Sequence, residues 1–213
     1  MTGRLVFVVD DDARIREALE ELLASHGMRA IGFASAGDYL GADRPDVPAC
    51  LILDVELPDI NGLAFQRRIA AEEHPPIVFL TGHGDIPSSV RAMREGAVDF
   101  LTKPFEAVDL IAAVETALAQ DRARRAARAD RAALRARYEA LTPREKEVLP
   151  LVVSGLLNKQ AAAELGISEV TLQIHRRNVM RKMSVASLAD LVRVAERLEI
   201  PVSHSRRRKE DEA

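Results

Sequence analysis

The residues with the clearest capacity for chemistry are carboxylates. Asp10-Asp11-Asp12 close a first apolar run, and Asp54 closes a second. Those runs, Leu5-Val6-Phe7-Val8-Val9 and Leu51-Ile52-Leu53, are short, unbroken and rich in β-branched side chains, the pattern of strands buried in a parallel sheet. The carboxyl ends of such strands are where open α/β sheets hold ligands. Carboxylates gathered there repel one another unless a cation lies between them, and hard oxygen donors suit Mg²⁺. Two more residues fit the same crevice: Thr81, after Ile77-Val78-Phe79-Leu80, and Lys103, before Pro104. Asp10, Asp11 and Asp54 then form a pocket for a divalent cation in which one carboxylate attacks phosphorus. Thr81 donates to one phosphoryl oxygen, Lys103 pairs with another, and Gly82 keeps the approach open. Asp12 reads instead as a solvated strand-end residue. The pattern is that of a phosphoryl-handling site.

These side chains need elements to position them. After the first strand, Ile15, Leu19, Leu22 and Leu23 form a helical stripe that Gly27 ends. A strand near 30–34, a helix around 37–40 and a strand over 50–53 follow. The turn Leu57-Pro58-Asp59-Ile60-Asn61-Gly62 leads to a helix over 63–72. Strand 77–80, helix 88–95, strand 98–101 and helix 107–118 complete five βα repeats. The predicted fold class is α/β: a doubly wound five-stranded parallel sheet, flavodoxin-like, joined by a helical linker to a small all-α domain.

The 213 residues are 47% hydrophobic and 30% charged, as in an ordinary globular protein. No stretch approaches a membrane span, and the apolar run near Met1 is too short for a signal h-region, so a cytoplasmic protein with no membrane partner is expected. Cys50, the one cysteine, reads as a small core residue. The net charge of −3 conceals an asymmetry. Residues 1–118 hold 10 Lys and Arg against 20 Asp and Glu; 119–140 hold 7 against 3, and 141–213 hold 13 against 10. An acidic half joined to a basic half implies domains with different partners. The expected division is a domain over 1–118, a semi-rigid helical linker over 119–140, a second domain over 141–200 and a disordered tail over 201–213. A DNA-binding basic arm is the lesser reading of 119–140.

From Leu141 the signals are helical. Thr142-Pro143-Arg144-Glu145 is a helix start with a capping box. A short helix over 159–165, the turn Gly166-Ile167 and a longer helix over 168–182 give a helix-turn-helix, whose second helix enters the major groove. A fourth helix follows over 187–198. On the long helix Glu169, Thr171, Gln173, His175, Arg176 and Arg177 are expected outside, with Leu172, Val179 and Met183 inside and Ile174 ambiguous. A plain helical bundle with charged outer faces is the blander alternative.

Residues 5–105 resemble the receiver domain of two-component response regulators, through Val8-Val9-Asp10-Asp11, Leu53-Asp54-Val55-Glu56-Leu57-Pro58-Asp59-Ile60-Asn61-Gly62, Thr81-Gly82 and Asp99-Phe100-Leu101-Thr102-Lys103-Pro104-Phe105. The resemblance implies that Asp54 accepts phosphate from a histidine kinase. It implies that Asp10, Asp11, Asp54 and the main-chain carbonyl of Glu56 hold Mg²⁺. Thr81 and Phe100 become the switch pair that remodels the surface of 88–95, 98–101 and 107–118, and Lys103-Pro104 is cis. His83, two residues past Thr81, is expected to tune phosphate lifetime. Leu57 departs from the commoner Met before Pro58.

Residues 141–198 resemble the LuxR-type DNA-binding domain, through Leu141-Thr142-Pro143-Arg144-Glu145, Gly155-Leu156-Leu157-Asn158-Lys159-Gln160, Ala163-Glu164-Leu165-Gly166-Ile167-Ser168 and His175-Arg176. The whole chain resembles transcriptional regulators of the FixJ/NarL type. That implies promoter DNA as partner, contacted by Lys159, Thr171, Gln173, His175, Arg176 and Lys182. It also implies homodimerisation on phosphorylation, with RNA polymerase a further partner. Gln173, where relatives carry Lys, removes a cation. Pro150 falls inside the first helix and is expected to kink or break it, at a cost of about 3 kcal/mol. The implied protein is a regulator and not an enzyme, beyond self-phosphorylation and slow self-dephosphorylation. Two readings compete: a phosphorylation-independent DNA binder, and an aspartyl-phosphate phosphohydrolase with Glu56 as acid/base.

Overall fold

Alternation along each strand decides which layer a side chain joins. In the computed structural model, which describes residues 4–82 and 86–201, with Ile86 by its backbone alone, β1 (Leu5–Val9) and β3 (Ala49–Asp54) lie at the centre of a parallel sheet. The strand order is β2 (Arg29–Phe33), β1, β3, β4 (Ile77–Thr81), β5 (Asp99–Thr102). Leu5, Phe7, Val9, Leu51, Leu53 and Phe79 enter one apolar cluster; Val6, Val8, Cys50, Ile52, Val78 and Leu80 enter the other. Both faces are therefore buried, which is why the sequence shows unbroken apolar runs. Burial among these side chains pushes the Cys50 thiol up, so it stays protonated and inert. The first cluster also takes Tyr39 of α2 (Ala36–Gly41), Phe65 of α3 (Gly62–Ile69) and Ala92 of α4 (Ile86–Arg94). The second takes Leu19 and Leu23 of α1 (Ala13–Ser25) and Leu110, Val114 and Leu118 of α5 (Ala107–Glu139).

The expected fold class holds, with small shifts. α3 stops at Ile69, short of 72, because His74-Pro75-Pro76 cannot extend a helix. β5 begins one residue later than predicted, within the spread of strand-end assignment. The chain divides into two compact units, Met1–Ala126 and Ala127–Ala213. α5 is a single helix of 33 residues, its first part in one unit and its end in the other. In the first unit Asp121, 3% exposed, accepts the Ala49 N–H that opens β3 at 2.9 Å. Arg125 donates to Asp121 at 2.7 Å and also pairs with Asp46. His83, and the expected tail beyond Pro201, lie outside the described residues.

In the second unit α6 (Pro143–Val153), α7 (Asn158–Leu165), α8 (Glu169–Lys182) and α9 (Leu188–Arg197) surround a core of Val148, Leu149, Leu172, Val179, Met183 and Leu191. Pro150 does not break α6. It lacks only its own N–H, while its carbonyl accepts the Ser154 N–H at 3.0 Å and the Ser154 hydroxyl at 2.6 Å. Sitting near the carboxyl end among buried Leu149, Leu151, Val152 and Val153, it costs the helix one internal bond and leaves its packing intact.

Glu145 completes the capping box, accepting the Thr142 N–H at 2.8 Å, and receives the Lys182 ammonium at 2.7 Å. Lys182 also reaches the Ala140 carbonyl at 3.3 Å. Burial pushes the Glu145 carboxyl up, but Lys182 and the Thr142 N–H outweigh it and hold it below the usual carboxylate range. A depressed carboxyl stabilises the fold above its unfolded pKa, and the gain is lost as pH falls through the folded value. Lys182→Met is expected to lower the stability of this unit by about 1–3 kcal/mol at neutral pH, the cost of stranding a buried acceptor. Thermal melts at neutral and acidic pH check this: the deficit narrows in acid, and equal melting at neutral pH would remove the structural role.

Candidate phosphoryl site and nucleic-acid interface

Asp10 follows Val8 by two residues and Asp54 follows Ile52 by two, so both carboxylates leave the same face of the sheet, at the carboxyl edge of neighbouring strands. They are 2% and 6% exposed. The Lys103 ammonium, one residue past β5, lies 2.6 Å from Asp10 Oδ2 and 2.6 Å from Asp54 Oδ2. Burial pushes the lysine pKa down, but the two carboxylates more than offset this, so Lys103 is held firmly as a cation. Burial also lifts the Asp10 carboxyl above the ordinary range. The other oxygens are aimed by the main chain: Asp54 Oδ1 accepts the Glu56 N–H at 3.0 Å, and Asp10 Oδ1 accepts the Asp12 N–H at 2.9 Å. Asp12 caps α1 through the Arg14 N–H. Among the described residues, Asp10, Asp11 and Asp54 offer carboxylate oxygens within 4.8 Å of one another. Three hard anionic donors, one of them exposed, fit a Mg²⁺ that keeps part of its water shell.

Thr81 ends β4, is fully buried, and its carbonyl accepts the Lys103 N–H at 2.7 Å. Phe100 on β5 is half-buried, with its ring 6.0 Å from that of Phe79, the residue opposite it in register. Thr81 shares the strand parity of Phe79, which puts Thr81 and Phe100 on one face of the sheet. The Lys103-Pro104 bond is cis, as expected.

In the second unit, Gly166 ends α7 in the left-handed conformation and Ser168 caps α8 by accepting the Thr171 N–H at 3.1 Å. Helical spacing puts Val170, Gln173, Ile174, Arg177 and Arg181 on the outer face, and all five are exposed. Val170 and Ile174, at 67% and 51% exposure, are large apolar residues left in solvent. Leu172, Val179 and Met183 are buried, as expected. Lys159 and Gln173 are exposed, whereas Thr171, His175 and Arg176 are half-buried. Thr171 shares a hydrogen bond with the Ser168 hydroxyl at 2.8 Å, and Arg176 donates to Asn158 at 3.0 Å.

Residues 6–115 match the model of the response regulator receiver domain, and residues 139–195 that of the luxR family of bacterial regulatory proteins. The chain is 49% identical over 205 residues to Nodulation protein W of Bradyrhizobium diazoefficiens, covering 96% of this chain and 90% of that one. The chain belongs to the response regulators. Its solved relatives include the response regulator StyR (46% identity, TM-score 0.83, 91% of this chain and 98% of that one). Full-length FixJ from B. japonicum is 39% identical, with TM-score 0.54 over 94% of this chain and all of the other. This response regulator therefore combines a receiver with a LuxR-type DNA-binding domain, the architecture of a transcriptional regulator.

The structure brings Asp10, Asp11, Asp54 and Lys103 of this response regulator together, with the Glu56 N–H on Asp54 and the Thr81 carbonyl accepting the Lys103 N–H. It adds contacts that the sequence does not announce. Arg16 donates to the Asp10 carbonyl at 2.6 Å, and Asp59 accepts the Gly37 N–H at 3.0 Å, tying the loop after Asp54 to α2. Val170 and Arg181 on the outer face of α8 were likewise absent from the sequence reading. Lys182, expected at DNA, pairs within the unit with Glu145 and the Ala140 carbonyl. Among the described residues no helix is long and apolar enough to cross a membrane.

Proposed function

We propose that Asp54 is the phosphoryl acceptor of this response regulator, and that its phosphorylation promotes pairing of receivers and binding to promoter DNA. The observation that carries this is the Lys103 ammonium shared at 2.6 Å between Asp10 and Asp54. A buried carboxylate with one oxygen held by a main-chain N–H and the other beside a fixed cation is aimed and charge-balanced for attack. Mg²⁺, bound by Asp10, Asp11, Asp54 and the Glu56 carbonyl, supplies charge neutralisation at the phosphoryl oxygens. The donor is a phosphohistidine of a sensor kinase. The Asp54 oxygen forms the new P–O bond, the P–N bond breaks, and its electron pair returns to the imidazole. Lys103 then pairs with a phosphoryl oxygen, Thr81 turns its hydroxyl to another, and Phe100 on the same face moves inward as Thr81 shifts.

Exposed Val90 and Met93 of α4 lie on the surface this movement remodels. Two receivers pairing there bring two copies of α8 to one operator, and linkage converts weak half-sites into tight binding. Gln173, Ile174 and Arg177 face base edges, Lys159 and Arg176 face phosphates, and Thr171 and His175 lie at the rim. RNA polymerase at the same promoter is the further partner, and the cytoplasm the compartment where kinase and promoter are both reached.

Adding acetyl phosphate and Mg²⁺ is expected to shift the full chain from monomer to dimer in sedimentation and to tighten its binding to promoter fragments at least tenfold. Dimerisation and DNA affinity indifferent to phosphodonor would instead identify a phosphorylation-independent DNA binder.

A further inference from the structure

The outer face of α8 mixes residue types in a way that charge does not explain. Val170, Gln173, Ile174 and Arg177 are spaced three and four apart, so their side chains adjoin on one face, and all four are exposed. Val170 and Ile174 are 67% and 51% exposed. β-Branched residues are poorer helix formers than alanine, and an aliphatic side chain gains nothing from water. One exposed aliphatic is ordinary; two in successive turns, with a glutamine between them, form a surface that a partner can cover. Val170 stands two residues after the Ser168 cap, in the first turn, the part of a helix-turn-helix that meets base edges. Ile174 lies one turn further, about 6 Å along the axis, or roughly two base-pair steps. A second copy of the chain does not suit this face. Two side chains fall far short of the ~800 Å² per partner of a stable protein interface. Pairing the face with itself would also bring the exposed Arg177 and Arg181 against their own kind.

In the major groove the C5 methyl of thymine is the apolar group that a base pair presents, and aliphatic side chains read it by contact. Glutamine reads the adenine of such a pair through N6 and N7. An amide both donates and accepts, as the adenine N6 amine and N7 require; an ammonium only donates and a carboxylate only accepts. We infer that Val170 and Ile174 read thymine methyls beside an adenine held by Gln173, so that the half-site of this regulator is built on A·T pairs. Arg177, one turn beyond Gln173, supplies the cation on the same face. α8 lies wholly inside the LuxR-type DNA-binding domain, so this face continues a surface meant for duplex DNA. The inference deepens the reading of α8 as the DNA-binding helix and rests on it.

The test uses the full chain with acetyl phosphate and Mg²⁺, and a duplex of about 40 base pairs that the wild type selects from a random pool, room for two half-sites a turn apart with flanks. The duplex is then rebuilt with deoxyuridine in place of thymidine, which deletes the C5 methyls and keeps every hydrogen-bonding group. Wild-type affinity should fall about fourfold for each contacted methyl. Val170→Ala/Ile174→Ala should bind the two duplexes within twofold of each other, and Val170→Ala alone should show an intermediate loss. Both positions are exposed and alanine is the best helix former, so unchanged far-ultraviolet circular dichroism is expected. A selected site without A·T pairs, or equal wild-type affinity for both duplexes, would overturn the inference. An equal loss on uracil in wild type and double variant would overturn it in favour of DNA shape. If uracil has no effect and the double variant changes only self-association in sedimentation, the face is an interface between copies. Arg177→Ala separates the two levels: it should weaken binding to both duplexes. Selection of no duplex by the wild type, or unchanged binding by Arg177→Ala, would mean that the reading of α8 fails and this inference with it.

Discussion

Asp54→Asn is expected to abolish uptake of a phosphoryl group. After incubation with acetyl phosphate and Mg²⁺, the intact mass of the wild type rises by one phosphoryl group and that of the variant stays unchanged. The substitution is nearly isosteric, and its amide oxygen still accepts the Glu56 N–H now bonded at 3.0 Å. What disappears is the nucleophile, because a neutral amide oxygen lacks the electron density to attack phosphorus. Lys103 keeps Asp10 as its anion at 2.6 Å, so the receiver should remain folded. The dimerisation and DNA response to phosphodonor should vanish in the same variant. Equal mass gain in both proteins would put the acceptor elsewhere and remove the proposed mechanism.

A second large effect is expected at Gly62, the first residue of α3. A Cβ there would lie 2.4 Å from the Asp54 carbonyl oxygen and 3.0 Å from the Val55 Cα. Both are backbone atoms and neither can swing aside. The Gly62 N–H donates to the Val55 carbonyl at 2.8 Å, so helix and strand end are clamped at that distance. Gly62→Ala should therefore destabilise the receiver by about 3 kcal/mol, the upper end of overpacking costs, and lower its Tm by on the order of 10 °C. Phosphoryl uptake should slow as well, since the loop that aims Asp54 must shift. Gly41→Ala is the control: a Cβ there meets nothing within 4 Å, and that variant should melt at or slightly above wild type. Equal Tm for both variants would mean that the close approach at Gly62 relaxes without cost.

The sheet and its acidic edge were legible for one reason. Strands buried on both faces leave continuous apolar runs, and the residue that breaks each run marks the crevice, as Asp10 and Asp54 do. Thr81 was readable by the same rule, and Lys103 by its place before Pro104. Bonds that join distant segments were not. Arg16 to the Asp10 carbonyl, Asp59 to the start of α2, and Asp121 to the Ala49 N–H, 72 residues away, follow no period and leave no mark in any one window of sequence. On α8 the rule that apolar means buried left Ile174 undecided and Val170 unnamed, whereas both face solvent. Lys182 was legible as a cation on α8, but its pairing with buried Glu145 was not. Pro150 was over-read, since a proline near a helix end removes one bond and α6 retains the rest.

The bond from Asp121 to β3 bears on how such regulators can be recombined. Read from apolar periodicity, the receiver ends at Leu118, where the last side chain of α5 enters the sheet's cluster. The folded receiver needs about two more turns of helix, because Asp121 satisfies the first N–H of β3 and Arg125 steadies Asp121. A cut at 118 would leave that buried N–H without its acceptor, at a cost of about 1–3 kcal/mol. A chimera that grafts this receiver onto a foreign output module should place its seam beyond Arg125, where the helix no longer serves the sheet.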